Sequence, residues 1–201
     1  ADTQEEADWH SAPGRLTALG RRTGRFIRLP SPVDASQHPD LAEIIRAAKS
    51  LRYAVTVDSN GYLFHNLLAR VTPAELDYLS FSLDGPDAAV NDPLRGEGVF
   101  ETCTAGVHRA VAGGFNTSVI YTVSSRNIDH LHRMHPLLAD LGVRRFFIQV
   151  IGLRGKPATG KGQGHGWQVD PARWLHIVPP VAREAARLGL HVTFPKVFLE
   201  Q

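Results

Sequence analysis

The chain has 201 residues and a mass of 22.0 kDa, with 43% hydrophobic, 21% charged and 8% aromatic residues, which excludes disordered, collagen-like and membrane-embedded compositions. A protein of this mass buries roughly 70% of the surface its unfolded form exposes, so a core needs no staple. The single cysteine, Cys103, excludes an internal disulfide framework and any metal or iron–sulfur site built from several cysteines of this chain alone. Twenty-two Lys and Arg against twenty Asp and Glu give a net charge of +2. These charges are scattered, so no nucleic-acid partner is implied. No apolar run reaches membrane-spanning length and the first eleven residues are acidic and polar rather than basic then apolar, so the reading is cytoplasmic with no membrane contact.

In chain order, residues 1–24 form a polar N-terminal segment with at most a short helix around Arg15 to Leu19. Residues 25–201 form one domain. Phe26 to Leu29 reads as a short strand, and Pro30-Ser31-Pro32 with the residues to Pro39 as a loop, because proline fixes its own backbone and biases the residue before it away from helix. Leu41, Ile44, Ile45 and Ala48 then recur at helical spacing behind a candidate N-cap, Asp40, predicting a helix to about Arg52. Tyr53 to Val57 is a β-branched strand stopped by Asp58-Ser59-Asn60-Gly61. Leu63 to Ala69 is a short helix and Pro73 to Leu76 a helical turn. Leu79 to Leu83 is a strand, Val99 to Ala112 a helix, Ser118 to Val123 a strand, Ile128 to Leu141 a helix and Arg145 to Ile151 a strand. After a glycine-rich loop over Gly152 to Gly166, a helix from Pro171 to Leu188 and a strand from Leu190 to Phe194 close the series. Strand, loop and helix repeat at roughly thirty-residue intervals, the pattern of an α/β fold made of parallel βαβ units. Chemistry in such sheets sits at the C-terminal strand ends.

Four segments follow successive strands: Asp58-Ser59-Asn60-Gly61; Ser82-Leu83-Asp84-Gly85-Pro86; Asn91-Asp92-Pro93-Leu94-Arg95-Gly96-Glu97-Gly98-Val99-Phe100; and Thr122-Val123 with Asn127. In this order and spacing they resemble the radical S-adenosylmethionine (SAM) superfamily, especially its peptide-modifying and cofactor-maturing branch. The resemblance covers about residues 41 to 150. It implies a partial (β/α) barrel binding SAM across the C-terminal strand ends. Ser82 and Asp84 match the motif near the SAM ribose, Arg95 the arginine that pairs with the methionyl carboxylate, and Asn60 and Asn127 polar positions lining the pocket. Hydroxyls and carboxylates suit a ribose, and a guanidinium fork suits a carboxylate. Asp84-Gly85-Pro86 is also ordinary turn chemistry, and Arg95 also fits a surface ion pair.

The departures from the family pattern fall on its chemistry. Members carry, after their first strand, three closely spaced cysteines that bind a 4Fe-4S cluster whose remaining iron takes SAM. Here Cys103 lies in a helix, where it reads as a buried small hydrophobe. The second strand of the family ends in Gly-Gly-Glu-Pro. This chain has Leu29-Pro30-Ser31-Pro32-Val33-Asp34, so the first strand of the barrel is missing or replaced. The resemblance therefore leaves two readings. The first is a barrel without its own iron–sulfur cluster, a pseudoenzyme that binds SAM, a related nucleoside or a peptide, or scaffolds a partner. The alternative is part of an active radical SAM enzyme acting on a peptide or small-molecule substrate, its cluster cysteines supplied from outside the chain. The first reading is preferred on the sequence. An incomplete barrel also exposes an edge beside Phe26 to Leu29, which predicts a homo-oligomer or a partner protein.

Two further signals carry less. Gly155-Lys156-Pro157-Ala158-Thr159-Gly160-Lys161 begins like a phosphate-binding loop, but Gly162 stands where Ser or Thr is required, and the following glycines forbid the helix. His130, His132 and His135 suggest a metal cluster, yet only the pair three apart converges on one helix face, so a solvated surface is expected.

Overall fold

The computed structural model describes residues 26–29, 39–61, 67–151 and 166–198. The polar N-terminal segment, the proline loop with Asp34, most of the helix expected from Leu63 and the glycine-rich loop before Gly166 lie outside the described residues. The elements are β1 (Phe26–Leu29), α1 (Leu41–Ser50), β2 (Ala54–Ser59), β3 (Tyr78–Ser82), α2 (Ala88–Arg95), α3 (Val99–Ala112), β4 (Thr117–Val123), a 3₁₀ helix (Ile128–Arg133), α4 (Met134–Asp140), β5 (Arg145–Val150), α5 (Pro171–Arg187) and β6 (His191–Thr193). All strand pairs are parallel, and the sheet order is the chain order, β1 to β6. A doubly wound sheet needs a reversal of strand order. Without one, right-handed crossovers put every helix on the same face, and a twisted sheet covered on one side curls into an α/β partial barrel.

The two faces of the sheet differ in chemistry. Val55, Val57, Leu79, Phe81, Leu83, Val119, Tyr121, Val123, Phe146 and Ile148 are buried together with Ile45 and Ala48 of α1, Val107 of α3, Leu138 of α4 and Trp174 of α5. The stripe Leu41, Ile44, Ile45 and Ala48, expected from its spacing, is the buried face of α1. On the alternate positions the register aligns Asp58, Ser80, Ser118 and Arg145 across four strands. Ser80 and Ser118 are buried there and their hydroxyls lie 2.6 Å apart. A parallel sheet covered on both faces would carry apolar residues at both sets of positions. This one keeps polar groups on its second face.

Three elements differ from the sequence reading. Residues 88–95, read as part of a loop, form α2, because the Asp87 carboxylate accepts from the Val90 amide and starts the helix despite Pro93 within it. The helix expected over Ile128 to Leu141 is divided into the 3₁₀ segment and α4. Pro136 has no amide proton to give the His132 carbonyl, which instead accepts from the His135 ring Nδ1 at 3.1 Å. Asp40 precedes α1 as expected, but its side chain makes no cap hydrogen bond.

Four helices end in one turn. After α1, α3, α4 and α5 a residue with positive φ (Arg52, Gly114, Gly142, Gly189) is followed by a buried apolar residue (Tyr53, Phe115, Val143, Leu190). The amide of that apolar residue reaches back to Ala48, Ala110, Leu138 or Ala185 in turn, the six-to-one bond of a Schellman motif. These turns set the strands that follow and form the N-terminal end of the sheet.

Candidate functional site

The expected site residues gather at the C-terminal ends of β3 and β4. Ser82 closes β3, and Asp84, two residues on, is the hub. Its amide donates to Asn91 Oδ1 at 2.9 Å, and its carbonyl accepts from Asn127 Nδ2 at 2.9 Å. Its Oδ1 accepts from the Thr122 amide at 2.6 Å, and its Oδ2 lies 2.8 Å from Arg95 Nε. One aspartate thus ties β3 to β4 and to α2. Gly85 makes the approach of α2 feasible, since a Cβ there would stand 2.5 Å from the Asn91 nitrogen.

The segment Asn91 to Phe100 is the other half of this assembly. Asn91, fully buried, holds the Asp84 amide. Asp92 accepts from the amides of Gly98 and Phe100, both at 2.9 Å, and so satisfies the first turn of α3 in place of the N-cap residue Gly98, which has no side chain. Arg95, at the end of α2, brings its guanidinium to Asp84. The sequence reading assigned roles only to Arg95 here. The roles of Asn91, Asp92 and Gly85 were missed because they act on the backbone.

Burial pushes the Asp84 carboxyl above the ordinary aspartate range, against the pull of the Arg95 charge and the Thr122 amide. The Arg95 Nε–H is turned off the line to the carboxylate, so the contact is an ion pair rather than a linear hydrogen bond. The Arg95 side chain keeps 21% of its exposure. The guanidinium is thus partly exposed while paired with Asp84.

The other expected residues divide. Ser82 is half-buried at the end of β3, and its carbonyl accepts from Cys103 Sγ at 3.7 Å. Asn60 is exposed beyond the end of β2. Its neighbour Gly61, at φ 89°, packs so closely on α3 that a Cβ would stand 2.7 Å from Cys103 Cα. Asn127, expected to line the pocket, sits behind it with no exposure. Its Nδ2 donates to the Asp84 and Thr122 carbonyls, and its Oδ1 accepts from the Ser124 amide and hydroxyl. All four bonds stay within the protein, so Asn127 shapes the site from inside.

These residues do not fit an iron–sulfur cluster. Cys103 is the single thiol of the chain, it is buried against β3, and burial pushes its pKa up to about 12. A cluster ligand must be an accessible thiolate. Among the described residues no three His, Cys, Asp or Glu side chains converge on a metal-sized site. His132 and His135 line an open groove with Glu184, as a solvated surface pair would. The chemistry of Arg95 and Ser82, a partly exposed guanidinium and a half-buried serine at the end of β3, suits the carboxylate and ribose of SAM. Among the described residues no helix is long and apolar enough to cross a membrane.

Fold and strand-end hub together define a partial (β/α) barrel with its polar site at the C-terminal strand ends. No family profile matches the chain. It is 27% identical over 157 residues to the AdoMet-dependent heme synthase of Methanosarcina barkeri, covering 77% of this chain and 43% of that protein. It is 29% identical over 113 residues to the mycofactocin maturase MftC of Mycobacterium tuberculosis, covering 52% and 27% respectively. The structure of Streptococcus suis SuiB bound to S-adenosylmethionine superposes with a TM-score of 0.68 at 12% identity, over 96% of this chain and 44% of that one. SuiB bound to its precursor peptide SuiA gives 0.69. The chain belongs to the radical SAM superfamily. It spans less than half the length of each of these relatives.

Proposed function

We propose that this chain is the SAM-binding part of a radical SAM protein that acts on a peptide. The Arg95 guanidinium takes the methionyl carboxylate and the Ser82 hydroxyl takes the ribose. Asp84 is a positioning residue. Its carboxylate is already committed to the Thr122 amide and Arg95, so it aims the guanidinium and locks β3 to β4. Asn60 reaches the ligand from the β2 end, and Asn127 keeps the β4 end in shape. The observation that carries this reading is the Asp84–Arg95 pair just beyond β3, in which the arginine side chain keeps 21% of its exposure. The peptide follows from the relatives, since MftC is a maturase and SuiB was solved with a precursor peptide.

In the superfamily, SAM on a reduced 4Fe-4S cluster supplies a 5'-deoxyadenosyl radical. The thiolates for such a cluster come from outside these residues, and the edge of β1, unpaired among the described residues, is where a further strand or a partner would add. A second reading, a SAM-binding barrel without a cluster, is favoured by the sealed Cys103 and by Pro30-Ser31-Pro32 standing where the family has Gly-Gly-Glu-Pro.

Calorimetry with SAM on the wild type and on Arg95→Ala and Ser82→Ala tests the binding. Loss of a charge-assisted fork weakens binding about tenfold or more, and no SAM affinity in the folded wild type would falsify the proposal. Iron counting after anaerobic reconstitution separates the two readings. About four irons per chain, or per complex with a copurified partner, supports the enzyme reading, and SAM affinity without iron supports the cluster-free barrel.

A further inference from the structure

At the opposite end of the sheet lies a cavity of about 530 Å³ among the N-terminal ends of β3, β4, β5 and β6. Its walls include Tyr78, Asn116, Arg144, Arg145 and His191, with the helix-ending glycines Gly114, Gly142 and Gly189 around them. Among the described residues no Asp or Glu lines it. Arg46, Arg95, Arg133, Arg173 and Arg187 each lie within 4 Å of a carboxylate. Arg144 and Arg145 have no such partner among the described residues. Two guanidinium charges and an imidazole are thus collected in one cavity without a carboxylate among the described residues.

The geometry of Arg145 goes further. Its guanidinium lies 4.2 Å from the centre of the Tyr78 ring and 5.8 Å from that of Phe147. Ring stacking holds a guanidinium by its flat face and leaves its N–H edge for a planar or tetrahedral oxyanion. Packing against two rings restricts Arg145 before any ligand arrives, which lowers the entropy cost of binding. The helix carbonyl ends nearby do not cancel this charge. Two last-turn carbonyls of each of α3, α4 and α5 are already taken by the amides of Gly114, Phe115, Gly142, Val143, Gly189 and Leu190. Structural counter-charges for helix ends would not need a stacked fork inside a cavity of ligand size.

We propose that this cavity is a binding site for a small oxyanion ligand, bearing phosphoryl groups or clustered carboxylates, distinct from the strand-end site and on the opposite end of the barrel. Arg145 supplies the oriented fork, Arg144 a second charge from the rim, and the Asn116 amide and His191 ring further polar contacts. A free phosphate ester and a polycarboxylate share the chemistry that this cavity recognises.

Isothermal titration of the folded chain with pyrophosphate and, separately, with citrate tests the site and separates the two sources. The wild type binds at least one of them, Arg145→Gln weakens that binding about tenfold, and the Arg144→Gln, Arg145→Gln double variant abolishes it. Arg145→Lys keeps the charge without the fork and falls between. Arg144 is exposed, so Arg144→Gln alone remains informative if changes at Arg145 disturb folding, and circular dichroism checks each variant. Pyrophosphate alone assigns a phosphoryl ligand, citrate alone a polycarboxylate, and both together a general oxyanion site. Absence of binding to either ligand, or binding unchanged in the double variant, overturns the proposal. SAM affinity measured on the same variants stays at the wild-type value.

Discussion

Cys103 shows how much one side chain's surroundings decide. Its thiol is packed between the end of β3 and the Asn60-Gly61 turn, and burial raises its pKa to about 12. At pH 8 the thiolate that reacts with alkylating reagents is then scarce as well as screened. Ellman's reagent is expected to leave the native protein unmodified for hours and to react at once in urea. Rapid reaction of the folded chain would show that the Gly61–Cys103 packing opens. The burial of this cysteine was legible in the sequence, because a lone thiol in an amphipathic helix is usually core. The hub at Asp84 was legible only in part. Ser82, Asp84 and Arg95 stand out as side-chain chemistry at strand ends, whereas Asn91 and Asn127 act by bonding main-chain groups of a strand 7 and 43 residues away. No local pattern announces such a bond. An Asn-Asp pair ahead of a glycine-started helix was the available hint, since Asp92 caps α3 across the Gly96–Gly98 turn.

At the scale of elements, β2 to β5 and the longer helices follow from periodicity, and the misread places are where one residue overrides a pattern. Asp87 starts α2 in a stretch read as loop, and Pro136 divides what a hydrophobic period presents as one helix. The four helix-ending turns were also present in the sequence, as Leu-Gly-Val, Leu-Gly-Leu and Gly-Gly-Phe. The first of them hides its kinship, because Arg52 replaces the glycine at φ 62°. An L-residue with a bulky side chain in this region costs about 1–2 kcal/mol, offset in part by the greater unfolded freedom of glycine. Arg52→Gly is therefore expected to stabilise the fold by about 0.5–1 kcal/mol, read as a higher urea midpoint at unchanged slope. Arg52 is exposed and its amide already bonds the Lys49 carbonyl. A lower midpoint in the variant would mean that its side chain does more than occupy the turn.

On the scale of the whole molecule, β3 carries opposite electrostatics at its two ends, and this sets the pH profile of stability. Asp77, just before β3, accepts from Lys49 Nζ at 2.7 Å and from the Val55 amide at 2.6 Å. Desolvation pushes its carboxyl up, but Lys49 and the amide outweigh that and hold it below the ordinary value of 3.8. Its native state binds the proton less tightly than the unfolded chain does. Asp77 thus adds stability above about pH 4 that is lost as pH falls through its native value. Asp84, just after β3, is raised by burial despite Arg95. Its native state binds the proton more tightly, so its contribution is fully present below 3.8 and declines as pH climbs through the raised native value. Urea unfolding of the wild type, Asp77→Asn and Asp84→Asn from pH 3 to pH 8 resolves the two. The gap between wild type and Asp77→Asn is expected to widen from pH 3 to about pH 5. The gap between wild type and Asp84→Asn is expected to shrink as pH rises from about 4. If that second gap widens instead, Arg95 prevails over burial and the hub is a stabilising ion pair. If it shrinks, the molecule holds a buried carboxylate at its C-terminal rim against its own stability, while the N-terminal end, tied by Asp77 and the four turns, supports the fold.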